Sequence, residues 1–138
     1  MDAKVVQVSG ITFIGKAQSN HWITMDGPEE FKGSNAAIRP KELILTALGG
    51  CSGSDVASIL AKMRQNVMRF EIDLKAEVAS EHPKVFTSIK MNFRFWGKDL
   101  EQAKIEKAIN ISHERYCSVS AMLKKSVDIS YTYKINPL

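Results

Sequence analysis

Cys51 and Cys117 are the only two thiols in a chain of 138 residues, and each stands in a short run of small and hydroxyl residues. Cys51 follows Gly49-Gly50, whose missing side chains leave room for a backbone or a substrate, and Ser52 and Ser54 set hydroxyls beside it. Cys117 directly precedes Ser118, a candidate N-cap. A thiol near a helix N-terminus meets oriented N–H groups and the positive end of the dipole, so its thiolate is favoured and its pKa is expected below about 8.5. Taken singly, each cysteine reads as a small inert core residue. Their joint placement at helix-edge motifs points instead to thiol chemistry.

Competing constellations are weaker. His21, His82 and His113 are far apart and show no H-x-x-H or C-x-x-C spacing, so they read as surface or capping residues and no metal is expected. Lys124-Lys125 complements a helix C-terminus, and methionines at helical spacing read as core. The net charge of +4 comes from 19 basic residues scattered among 15 acidic ones, which argues against a nucleic-acid footprint.

The hydrophobic share of 44% and charged share of 25% belong to a folded domain, and the length predicts one domain over residues 1–138. The first residues, MDAKVVQVSG, lack a basic segment followed by an apolar h-region, and the longest uncharged stretch, Leu43 to Ser54, is short of the roughly 20 residues of a membrane helix. A cytoplasmic protein with no membrane span is expected. In that compartment the thiols stay reduced, and any disulfide between them is transient.

The elements that must position the cysteines follow from pattern. Val6 and Val8, Ile11 and Phe13, and Trp22 and Ile23 predict a small meander, followed by an aperiodic, lid-like loop from Asp26 to Arg39. Pro40 opens a helix expected to run to Arg64, with Val56, Ile59, Leu60 and Met63 on one face and an uncharged first half expected to be buried all round. Alternation predicts strands at Phe70 to Val78, Ile89 to Phe95 and Val127 to Ile135, with SEHPK as the turn between the first two. Asp99 with Gln102 resembles a capping box for a helix carrying Ala103, Ile105, Ala108 and Ile109, and a helical turn restarts near Ser118 with Val119, Met122 and Leu123. The order predicts an α+β fold. An all-round buried helix and a one-faced sheet need more cover than one small chain supplies, which predicts an obligate homodimer.

The runs RPKELILTALGGCSGSDV and ERYCSVSAMLKK, with EHPKVFTSI between them, are similar to the OsmC/Ohr family of thiol peroxidases and most to its YhfA-like branch. The resemblance covers nearly the whole chain. It implies an OsmC-like, intertwined homodimer in which two antiparallel three-stranded sheets wrap two central helices. It further implies a peroxidatic Cys51 and a resolving Cys117, an organic hydroperoxide substrate, and a dithiol reductant such as a lipoyl protein, with no cofactor, nucleic acid or membrane. Two positions depart from the family's pattern. Its glutamate ten residues before the first cysteine is replaced by Lys41, leaving Glu42 one place out of register, and the arginine that steadies the thiolate has only Lys16 and Arg39 as candidates. The alternative on the same scaffold is a redox sensor or a binder of small apolar ligands.

Overall fold

Ile89, Met91, Phe93 and Phe95 are all buried while the residues between them stay in contact with solvent, and this single strand fixes where the larger core forms. The computed structural model describes residues 1–138. The chain divides into two compact units, Met1–Ile44 and Leu45–Leu138.

The first unit holds the expected meander. Strands β1 (Ala3–Ser9), β2 (Thr12–Ala17) and β3 (Ile23–Met25) pair antiparallel in that order. Every residue of β1 is exposed, including Val5 and Val8. The segment from Asp26 to Arg39 is more ordered than its composition suggested. The buried Asp26 carboxylate accepts hydrogen bonds from the backbone N–H groups of Gly27, Ser34 and Ala36 at 2.7, 3.1 and 3.0 Å. A 3-10 turn over Glu29–Phe31 and a bridge between Met25 and Ile38 complete the fold-back. The loop is thus organised around one anion, whose short side chain satisfies three donors that no ladder would reach.

Helix α1 (Pro40–Lys62) begins at the predicted proline and ends two residues short of Arg64, where the backbone turns left-handed with φ of 56°. By length and composition alone it is apolar enough to cross a bilayer, yet its Leu48, Val56 and Leu60 are buried in the protein's own core. The expectation of all-round burial fails within one chain. Thr46, Ala47 and Gly50 are exposed, because only one stripe of α1 meets the sheet. Close approach there is made possible by glycine: a Cβ on Gly49 would stand 2.8 Å from Leu74 Cδ1, and one on Gly53 would stand 3.2 Å from Ile72 Cδ1.

In the second unit, β4 (Asn66–Val78) and β5 (Phe86–Lys98) form a long antiparallel hairpin, and β6 (Asp128–Ile135) joins β5 in parallel. The expectation of two antiparallel sheets therefore needs correction: the second sheet is mixed. The reason is the connection, which runs through helix α2 (Gln102–Ile111), a π-helical turn (Ser112–Tyr116) and helix α3 (Ser118–Leu123), and a helical crossover of this length returns the chain in the same direction. Phe70, Phe93 and Phe95 stack in the core, with ring centroids 4.5 Å apart for Phe70 and Phe95. The α2 residues Ile105, Ala108 and Ile109 close the core from the helical side.

Two local expectations are revised. Asp99 is left-handed, with φ of 54°, and Glu101 takes the N-cap position of α2 without a side-chain cap, so the capping box does not form. Instead, the side chain of Gln65 accepts from the Glu101 N–H at 2.7 Å. Met122, expected in the core beside Val119 and Leu123, is exposed.

The backbone donors around Asp26 hold its carboxyl below the usual range, with the Ala36 and Gly27 N–H groups contributing most. Its stabilising effect is complete above the unfolded value of about 3.9 and is lost as pH falls through the lower folded value. Asp26→Ala is expected to lower the melting temperature at neutral pH, with wild type and variant converging toward pH 2. Thermal melts whose difference stays constant from pH 7 to pH 2 would contradict this.

Candidate active site

Cys51 lies in the middle of α1, and Cys117 closes the π-helical turn and opens α3. The fold brings their sulfurs together, with the Asp55 carboxylate beside them, so that the three side-chain ligand atoms all lie within 4.8 Å of one another. Both thiols are free. Cys51 is half-buried and Cys117 is buried.

The two sulfurs have different surroundings. Cys117, not Ser118, is the N-cap of α3: its sulfur accepts from the Ser120 N–H at 3.3 Å and from the Ser52 hydroxyl at 3.3 Å. Burial nevertheless pushes the Cys117 thiol above its ordinary value, with these two donors acting against it and neighbouring Cys51 adding to the rise. The expected lowering at this helix terminus therefore does not occur at Cys117. It occurs at Cys51. Burial pushes that thiol upward too, but the Val119 N–H, the Cys117 thiol and the Ser118 hydroxyl together bring it below its ordinary value, against the charge of Asp55. The first turn of α3 thus serves the cysteine of the other helix.

The π-helical turn sets this geometry. The Cys117 N–H donates to the Ser112 carbonyl at 2.8 Å, the wide closure of a π turn. The buried Ser112 hydroxyl donates to Asp55 Oδ2 at 3.2 Å, which ties the turn to α1 four residues beyond Cys51. Next to it, His113 Nδ1 lies 3.2 Å from the Ser120 hydroxyl, and the ring meets the edge of Tyr131. Sequence reasoning singled out the two cysteines and Ser52 but missed Asp55, Ser112 and Ser120. The i, i+4 spacing of Cys51 and Asp55 on a helix was the available signal for Asp55.

The other sequence-predicted site residues have partners within the first unit. Glu42 accepts from the Arg39 N–H at 3.1 Å, which is the reach-back half of a capping box at the start of α1. The Arg39 guanidinium donates to the Ala37 carbonyl at 2.9 Å and to Asn35 Oδ1 at 2.6 Å. Lys16 donates to Asn20 Oδ1 at 2.6 Å and lies 5.0 Å from the centre of the Trp22 ring.

Such a fold, with a half-buried thiol on a long helix and a second thiol capping a short one, defines a paired-cysteine α+β protein. The family model described as OsmC-like protein matches residues 33–132. Protein YhfA of Escherichia coli K12 is 43% identical over 135 residues, covering 98% of both chains. A crystal structure of a hypothetical protein from Aquifex aeolicus is 37% identical, covers 99% of this chain and 97% of its own, and superposes with a TM-score of 0.81. The organic hydroperoxide resistance protein OhrB of Bacillus subtilis shares the fold at 18% identity, with a TM-score of 0.65 and coverage of 97% and 98%. The chain belongs to the OsmC-like family.

Proposed function

We propose that the protein is a thiol-dependent peroxidase acting on organic hydroperoxides, within a redox or peroxide-stress role in the cytoplasm. The observation that carries this reading is the asymmetric pair: a half-buried Cys51 with a lowered pKa, beside a buried Cys117 with a raised one. Attack of the Cys51 thiolate on the hydroperoxide breaks the O–O bond, leaving a sulfenic acid and, after protonation, an alcohol. The Cys117 thiol then displaces water from the sulfenic acid to form a disulfide. A dithiol, such as a lipoyl group on a protein, restores both thiols by exchange and leaves as its own disulfide. No cofactor enters these steps. The hydroperoxide-resistance names of structural neighbours support the assignment.

A second reading, a redox sensor or apolar-ligand binder, has one observation in its favour. The Asp55 charge opposes the Cys51 thiolate, which is not what a fast nucleophile needs.

We infer that residues 1–138 act as one domain of a homodimer. The exposed stripe of α1, the wholly exposed β1 and Met68 at 78% exposure are apolar surface that a second copy would cover. Light scattering at micromolar concentration is expected to give twice the chain mass; a folded monomer would contradict the inference.

The division of labour is tested by substitution. Cys51→Ser is expected to abolish peroxide turnover in the presence of dithiol, because a serine hydroxyl is a negligible nucleophile at neutral pH. Cys117→Ser is expected to lose turnover but keep the first step, leaving a Cys51 sulfenic acid that a trapping reagent labels and excess peroxide drives to sulfinic acid. Mass spectrometry after one equivalent of organic hydroperoxide reads both. Equal trapping at Cys117 in the Cys51→Ser protein would overturn the assignment.

A further inference from the structure

The peroxidase reading leaves Asp55 unused and even opposed to the chemistry. A carboxylate against two thiols disfavours ionisation in the absence of a cation, yet one carboxylate and two thiols, each able to become an anionic donor, converge on one point that suits a metal ion. We propose that Cys51, Asp55 and Cys117 form a binding site for a thiophilic divalent metal, with Zn2+ as the natural fit.

The geometry supports three-point coordination. Tetrahedral Zn2+ with bonds of about 2.3 Å to sulfur and 2.0–2.2 Å to oxygen needs ligand atoms roughly 3.5–3.8 Å apart. The three ligand atoms already lie within 4.8 Å of one another, so closing the site shortens each separation by no more than about 1.3 Å. Cys51 and Asp55 stand four apart on one face of α1, and Cys117 reaches the same point from the start of α3. The ligands are already oriented by their neighbours. The Ser112 hydroxyl donates to Asp55 Oδ2 at 3.2 Å and holds that carboxylate in place, and the Ser52 hydroxyl and Ser120 N–H fix the Cys117 sulfur.

Two sulfurs and one oxygen select against Mg2+ and Ca2+, which prefer all-oxygen sites. Binding is proton exchange without redox change: as each S–Zn bond forms, the thiol releases its proton to solvent. The fourth position is left for water. Metal-search rules based on histidines or C-x-x-C spacing pass over such a site, because its donors come from two elements far apart in sequence.

The test uses the full-length protein, reduced with a phosphine and stripped of metal, titrated with Zn2+ against a chromophoric chelator. The expected result is one Zn2+ per chain, bound tightly enough to compete with the chelator, and protection of both thiols from alkylation. Asp55→Asn keeps an acceptor for Ser112 and is expected to weaken binding about tenfold or more, while Cys117→Ser weakens it further. Cd2+ in place of Zn2+ is expected to give a thiolate charge-transfer band that Cys51→Ser reduces. Failure to compete for one equivalent, or an Asp55→Asn protein that binds as tightly as wild type, would overturn the proposal. Peroxide turnover by the metal-free enzyme is a separate readout, so loss of metal binding leaves the peroxidase reading standing on its own test.

Discussion

The buried sulfur of Cys117 is held by two donors from different elements, the Ser52 hydroxyl on α1 and the Ser120 N–H on α3, both at 3.3 Å. A sulfur is a weak acceptor, and neither contact is strong alone. Together they join the central helix to the crossover at the point where Cys51 also lies. That joint sets the first turn of α3, with its Val119 N–H and Ser118 hydroxyl, beside Cys51. The two thiols are unlike: Cys51 falls below its ordinary value despite burial, and burial raises Cys117.

The larger fold serves the same juxtaposition. The parallel pairing of β5 and β6 requires a long return path, and the chain fills it with α2, the π-helical turn and α3. Burial of Ile105, Ala108 and Ile109 anchors this path on the sheet, and the wide π turn sets Cys117 at its inner edge. On the opposite side, Gly49 and Gly53 let α1 settle against Leu74 and Ile72 of β4, where larger side chains would hold it away. The neighbouring Gly50 is exposed and has nothing within 4 Å of a Cβ position, so of the Gly49-Gly50 pair only Gly49 packs the helix.

Much of this was legible from residue patterns. The alternation of β6 and the proline start of α1 marked those elements closely, and that of β5 marked its centre although the strand runs three residues further at each end, since period and punctuation are local properties. The two cysteine motifs and the family resemblance pointed to the site. What stayed hidden depends on long-range contact. Parallel pairing of β6 is a matter of topology, not of its own alternation. Asp26 looked like one more polar loop residue, although three backbone donors converge on it. The direction of the Cys117 shift was misjudged because helix-terminus reasoning sees the N–H groups but not the burial that outweighs them. Ser112 joins the site only because the π-helical turn meets α1 at Asp55.

The proposed peroxidase chemistry needs Cys51 and Cys117, whose sulfurs lie within 4.8 Å of each other, to pass from two free thiols to one disulfide within a chain. Peptide mapping under non-reducing conditions, after one equivalent of organic hydroperoxide per wild-type chain, tests it directly. Mixing light and isotope-labelled protein before oxidation distinguishes links within a chain from links between chains. The proposed mechanism predicts a Cys51–Cys117 disulfide carried wholly by light or wholly by heavy peptide pairs. Mixed light–heavy pairs, or Cys51 oxidised to sulfinic acid beside an unmodified Cys117, would contradict it.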